Sequence, residues 1–204
     1  MKNVICEFPG KWDRAIGHFD MKLFPGHHFV GADDCRSCSS LLLELGRVRA
    51  DQARMNDVYL VSFDGEQAIR EQSEGEDNLY GNPHLAVRWR KDATLSRVIA
   101  LINADLISDK NLVIKRDNNS AASITQTDLV YGIGTRLRGR FRRRHHFRGR
   151  RLHPVRQARH SRRRRDRVDY PRSHSDNDTM DKLSAQSPEI VGTVMVEFIH
   201  RLEQ

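Results

Sequence analysis

The sequence predicts a small α+β domain over residues 1–135, a disordered arginine- and histidine-rich arm and linker over 136–186, and a short C-terminal helix or strand over 187–204. Two observations carry this expectation. Between residues 41 and 133 the pattern runs helix, strand, strand, helix, strand, strand, which suits one sheet covered by helices. From Arg136 to Arg165, thirty residues then hold fifteen arginines and four histidines, with no lysine and no carboxylate.

The first 34 residues are broken by Pro9-Gly10, Gly17, Pro25-Gly26 and Gly31, and read as loops without a sustained period. Residues 41 to about 55 read as an amphipathic helix, with Leu41, Leu45 and Val48 on one face. Val58 to Phe63, VYLVSF, has the strongest strand propensity in the chain, and Asp64-Gly65 ends it with a turn. Residues 66–82 are acidic and polar and read as a loop or short helix. Leu85, Val87 and Trp89 alternate with Ala86, Arg88 and Arg90, the pattern of a half-buried strand. Thr94 then precedes Leu95, Val98, Ile99, Ile102 and Leu106 at helical spacing, with Thr94 as N-cap. Short strands are expected at 111–115 and 129–133, and Gly132-Ile133-Gly134 reads as a flexible junction. Beyond the arm, Val191, Val194, Met195, Phe198, Ile199 and Leu202 form a helical stripe, although the β-branched run with Gly192 suits a strand equally well.

The arm divides the charge of the chain. There are 35 Lys and Arg against 27 Asp and Glu, a formal net charge of +8. Removing the fifteen arginines leaves 20 against 27, so an acidic body carries a basic segment, as interaction tails do. Guanidinium groups fork two hydrogen bonds onto phosphate oxygens and stack on bases. Arg138, Arg140, Arg142, Arg143 and Arg144 with Phe141, then Arg148, Arg150 and Arg151 with Phe147, interleave charge and flat rings. Arg162, Arg163, Arg164 and Arg165 add a second block of charge. The Arg138-Gly139-Arg140-Phe141 and Phe147-Arg148-Gly149-Arg150 segments resemble the RG boxes of RNA-binding proteins, which implies nonspecific binding of RNA, DNA or another polyanion. On this reading the protein is not an enzyme and needs no cofactor.

Two alternatives stand beside that one. The arginine bias is also what a GC-rich segment produces in an overlapping or spurious reading frame, with no evolved biochemical function. The third reading rests on Cys35-Arg36-Ser37-Cys38, whose spacing suits one side of a tetrahedral metal site, with His27 and His28 as further candidates, or a thiol redox pair. Asp64, Glu66, His84 and Asp92 are titratable residues near turns, without the pairing that general acid and base chemistry needs. No run of roughly eighteen apolar residues is present, so no membrane span is expected. The first ten residues lack the apolar run of a secretory signal, and the expected location is intracellular, nuclear in a eukaryote and cytoplasmic in a bacterium.

Overall fold

The computed structural model describes residues 2–9, 13–22, 26–52, 55–67, 80–115, 124–137, 141–142 and 170–204. A four-stranded sheet in the order β1-β3-β2-β4 organises them. Its strands are β1 (Val4–Phe8), β2 (Asp13–His18), β3 (Val58–Phe63) and β4 (Leu101–Asn103). β1 runs antiparallel to β3, with Val4 opposite Ser62 and Phe8 opposite Val58. β2 lies parallel to β3, from Asp13 opposite Val58 to His18 opposite Phe63, and parallel to β4, with Arg14 opposite Leu101. The helices are α1 (Arg36–Arg49), α2 (Gly81–Lys91), α3 (Ile124–Arg136) and α4 (Gln186–Leu202).

The helices cover both faces of the sheet. Successive strand residues point to opposite faces, so β3 sends Val58 and Leu60 into a core with α1, α3 and α4, and Val61 and Phe63 into a second core with Leu85 and Trp89 of α2. Ile102 and Leu101 of β4 divide between the same two cores. A strand buried on both sides reads as a continuous apolar run rather than an alternating one. The Ala100-Leu101-Ile102 run is of that kind, and this is why the helix expected from Thr94 is absent. Its start is a short 3-10 turn, Leu95–Arg97, and Val98 already has extended backbone.

Two further expectations reverse for the same reason, local period against tertiary burial. In 85–90 the strand reading required Val87 on the buried face, yet Val87 is exposed while Leu85 and Trp89, four residues apart, are buried. Pro83 in the first turn is compatible with a helix there. Residues 129–133 lie within α3, where Thr127, Val130, Tyr131 and Gly134 recur at helical spacing on the buried side. The N-terminal residues, read as loops, supply two strands of the main sheet. The C-terminal ambiguity resolves as helix: Val191, Val194, Met195, Phe198 and Ile199 are all buried at 3- and 4-residue intervals, and a Cβ on Gly192 would meet Leu41 of α1 at 3.0 Å.

The fold does not end at residue 135: described residues of the expected arm and linker pack into it, whereas 138–140 and 143–169 lie outside the described residues. Phe141 is buried against Tyr131, with ring centroids 5.4 Å apart, and the two-residue strand β6 (Phe141–Arg142) pairs with β5 (Ile114–Lys115). The linker region contributes Tyr170 and Asp178, both buried. Gly132 and Gly134 are helical, and a Cβ on Gly134 would come within 2.3–2.5 Å of three atoms of the Phe141 ring. Gly134→Ala is expected to destabilise the fold by about 1–3 kcal/mol through overpacking, measured as a lower urea midpoint at unchanged slope. Among the described residues, no helix is long and apolar enough to cross a membrane.

Candidate active site

β2, β3 and β4 run parallel, so their carboxyl ends open along one edge of the sheet, where open α/β sheets place ligand sites. His18 is the last residue of β2, Glu66 and Gln67 follow the end of β3, and Asp105 follows β4. Asp34 comes from the turn into α1, and His174 from the loop between Tyr170 and Asp178.

Asp34 and His18 are both buried and form the centre of the group. His18 Nε2 lies 3.7 Å from Asp34 Oδ1 and 3.5 Å from Asp105 Oδ1. On its other side, His18 Nδ1 is 3.6 Å from Asp20 Oδ1 and 4.0 Å from Glu66 Oε2. The second oxygen of Asp34 is 3.1 Å from His174 Nε2 and accepts the Ser173 hydroxyl at 3.1 Å, while Gln67 Nε2 donates to Oδ1 at 3.1 Å. Asp20 accepts the backbone N–H groups of Glu66 and Gln67 at 3.1 and 2.9 Å, which fixes the turn after β3.

The electrostatics follow from crowding acids around a buried ring. Burial alone would lower the proton affinity of His18, but the Asp105 and Asp20 carboxylates beside its two ring nitrogens raise its pKa well above the ordinary range. Burial would raise the Asp20 carboxyl, yet His18 and the two backbone donors hold it low. Burial pushes the Glu66 carboxyl up to about 7; His18 opposes the shift, and Asp105, Asp34 and Asp20 add to it.

The backbone is strained at the same place. Among the described residues, four other than glycine have positive φ: Cys35 at 88°, Ala93 at 60°, Leu106 at 52° and His174 at 54°. Three of them are His174 itself and the residues directly after Asp34 and Asp105. Such conformations cost on the order of 1–3 kcal/mol each and persist where surrounding contacts over-determine them, most often at functional sites.

The arrangement suits a divalent cation of the zinc class. His18, Asp34 and Asp105 each offer one atom within 4.8 Å of the others. Zinc bonds of roughly 2.0–2.2 Å at tetrahedral angles set ligand atoms about 3.3–3.6 Å apart. The 3.5 Å separation at His18 Nε2 falls within that spacing and the 3.7 Å one just above it, and both exceed the usual hydrogen-bond range. Three protein donors that include an imidazole and carboxylates, leaving a position for substrate, are the donor chemistry of catalytic zinc.

The residues singled out from the sequence are placed differently. Cys35 and Cys38 are buried free thiols. Cys38 donates to the His18 carbonyl at 3.1 Å, as does the Ser39 hydroxyl at 3.0 Å, and Cys35 donates to the Phe19 carbonyl at 3.5 Å. The pair thus pins the backbone of the site histidine. His27 is exposed with Nδ1 3.2 Å from Asp176, and His28 is exposed. Burial pushes the Cys35 thiol up to about 11 and the Cys38 thiol up to about 12, whereas Cys6 is exposed. Iodoacetamide at neutral pH is accordingly expected to alkylate Cys6 alone in the native protein and all three cysteines in urea, as read by peptide mass mapping.

Of the proposed nucleic-acid contacts, Phe141 is a core residue and Arg142 lies in β6; Arg138, Arg140, Arg143, Arg144, Phe147, Arg148, Arg150, Arg151 and Arg162 to Arg165 lie outside the described residues. Of the titratable residues near turns, Glu66 alone joins the site. Asp64 accepts the Lys2 backbone N–H, Asp92 accepts the Thr94 backbone N–H at 3.0 Å, and His84 lies on the exposed side of α2. Sequence reading missed His18, Asp20, Asp34, Asp105 and His174. A usable signal was present: His18-Phe19-Asp20, Asp64-Gly65-Glu66 and Ala104-Asp105 each put acids or histidine directly after an apolar run.

A family model described as peptidase family M28 matches residues 3–199. The chain is 35% identical over 95 residues to a glutaminyl-peptide cyclotransferase of Drosophila melanogaster, covering 44% of this chain and 27% of that protein. It is 35% identical over 86 residues to a glutaminyl-peptide cyclotransferase of Dictyostelium discoideum, covering 41% and 23%. The matched stretches therefore span about a quarter of these curated relatives. The crystal structure of a glutaminyl cyclase from an Acidobacteriales bacterium superposes with a TM-score of 0.82 at 30% identity, over 99% of this chain and 73% of that one. These similarities overturn the expectation of a non-enzymatic nucleic-acid binder with a small α+β domain. They equally set aside the reading frame without function and the CxxC metal or redox protein, because a family match spans the fold and the acid-rich cluster is built elsewhere.

Proposed function

We propose that this chain, which belongs to peptidase family M28, is a metal-dependent acyl-transfer enzyme that cyclises the N-terminal glutaminyl residue of peptides. The observation that carries the reading is the buried His18, Asp34 and Asp105 group at the carboxyl ends of the parallel strands. Support for cyclisation over hydrolysis comes from the relatives at 30% identity or more described above.

His18, Asp34 and Asp105 would hold the metal. A bound divalent ion supplies Lewis-acid polarisation of the substrate carbonyl. His174, at Asp34 Oδ2, orients the shared carboxylate from the side opposite His18. In the reaction, the free α-amine of the substrate forms a bond to the side-chain carboxamide carbon, the bond from that carbon to its nitrogen breaks, and ammonia leaves. One proton must pass from the attacking amine to the departing nitrogen. Glu66 is the group placed for this transfer: its Oε2 stands 4.0 Å from His18 Nδ1, and its side chain is the most exposed of the acids around that ring at 29%. Asp20 holds the backbone of Glu66 in place.

The test is a mass-spectrometric assay of the zinc-loaded full chain on a peptide beginning with glutamine. Loss of one ammonia from the intact peptide, abolished by dipicolinate and restored by zinc, is the expected result. Release of the free N-terminal amino acid instead would show that water is the nucleophile at the same site, and that the protein is an aminopeptidase.

A further inference from the structure

We infer that Asp178 is a positioning residue that holds Asp34 and His174 in register for the metal, with Tyr170 as its partner. The carboxylate of Asp178 is fully buried, and it accepts the backbone N–H of Asp33 on Oδ1 at 2.9 Å and that of Asp34 on Oδ2 at 3.0 Å. The Tyr170 hydroxyl donates to Oδ1 at 2.7 Å, and the Asp178 carbonyl accepts the N–H of Ala32 at 3.3 Å. A single residue therefore holds the turn that carries Asp34, and it ends the loop that carries His174.

A second buried acid continues the tie. Asp33 Oδ1 accepts the N–H of Ser108 at 2.7 Å, and the Asp33 carbonyl accepts the Ser37 hydroxyl, whose oxygen faces the N–H of Ile107 at 3.4 Å. The loop bearing Asp105 is thereby joined to the same framework. All three loops contain a residue with positive φ, at Cys35, Leu106 and His174. Strained backbone relaxes unless its neighbours over-determine it, and carboxylate-to-amide hydrogen bonds in a dry environment are strong and directional. Asp178 supplies those bonds at the turn next to Cys35 and four residues after His174.

This inference rests on the metal site proposed above, and its test separates the two. Cobalt(II) is titrated into the metal-free full chain and followed by its visible absorption, and hydrogen exchange is measured at the Asp33 and Asp34 amides. Asp178→Asn keeps the size of the side chain but turns one acceptor into a donor facing an N–H. It is expected to weaken cobalt binding by about 10- to 100-fold, the range for groups that orient metal ligands, and to speed exchange at both amides at least about tenfold, with far-UV circular dichroism unchanged. Tyr170→Phe, which leaves both amide bonds in place, is expected to shift both readouts in the same direction but less. Met195→Ala, a buried core truncation in α4, controls for stability and should leave cobalt affinity as in the wild type.

A folded Asp178→Asn protein with wild-type affinity and exchange overturns the inference, as does an equal loss of affinity in Met195→Ala. If the wild type binds no cobalt, the metal reading fails, while unchanged amide exchange in Asp178→Asn would separately remove the clamp. Should Asp178→Asn not fold, Tyr170→Phe decides: exchange identical to the wild type overturns the inference.

Discussion

Asp34→Asn is expected to lower affinity for zinc or cobalt by more than about 100-fold and to abolish cyclisation of a glutamine-initiated peptide. Removing groups that merely orient a metal ligand costs about 10- to 100-fold, and Asp34 is the residue on which the site converges. Its Oδ1 faces His18 Nε2 and Gln67 Nε2, and its Oδ2 faces His174 Nε2 and the Ser173 hydroxyl. An asparagine offers one oxygen in place of two and sets an N–H₂ against one of these neighbours. Asp20→Asn provides the graded comparison, since Asp20 lies behind His18 and not among the three proposed ligands. It should weaken metal binding by about 10- to 100-fold and leave measurable turnover. Isothermal titration against zinc in a competing chelator separates the two variants. Equal affinities for wild type and Asp34→Asn would remove Asp34 from the metal site.

Glu203→Ala is expected to destabilise the protein by about 3 kcal/mol. Arg49, at the end of α1, is 1% exposed in its side chain and forms an ion pair with Glu203 at 3.0 Å, just beyond the end of α4. Deleting one partner of a buried pair leaves a charge in low dielectric and costs about 3–5 kcal/mol. The lower figure applies because Gln52 Oε1 still accepts from Arg49 Nη1 at 2.9 Å. At about 2–4 °C per kcal/mol for a chain of this size, Tm should fall by about 6–12 °C. The double variant Arg49→Met, Glu203→Leu should recover most of this loss, since apolar replacement of a whole buried pair is often neutral or better. A Glu203→Ala protein that melts within a degree of the wild type would show that Glu203 contributes nothing to holding Arg49.

The parts of the fold that were legible in the sequence are those whose local pattern and tertiary burial agree. VYLVSF is a strand by propensity and is a central strand in fact. The stripe from Val191 to Leu202 suited a helix or a strand locally, and it is helical because its apolar residues meet α1 and α3 at the helical period. Where the two disagree, burial prevails: LAVRWR alternates like a strand, but Leu85 and Trp89 face the sheet from one side of a helix. The stretch from Leu95 to Leu106 has helical spacing, yet its centre is a short strand covered on both faces. The site was hidden for a different cause. His18, Asp34, Asp105 and His174 are spread over most of the chain, and no short window holds two of the three proposed ligands in a metal-binding spacing.

By itself, then, the sequence determined the segregation of its charge, the central strand, the apolar face of the first helix and the lack of a long apolar run, because these depend on composition and on neighbours a few positions apart. Tertiary structure alone decided the parallel order of the strands, the burial of Phe141 and Asp178, and the meeting of an imidazole with four carboxylates, because each depends on contacts between distant residues whose carboxyl-end loops share one edge of the sheet.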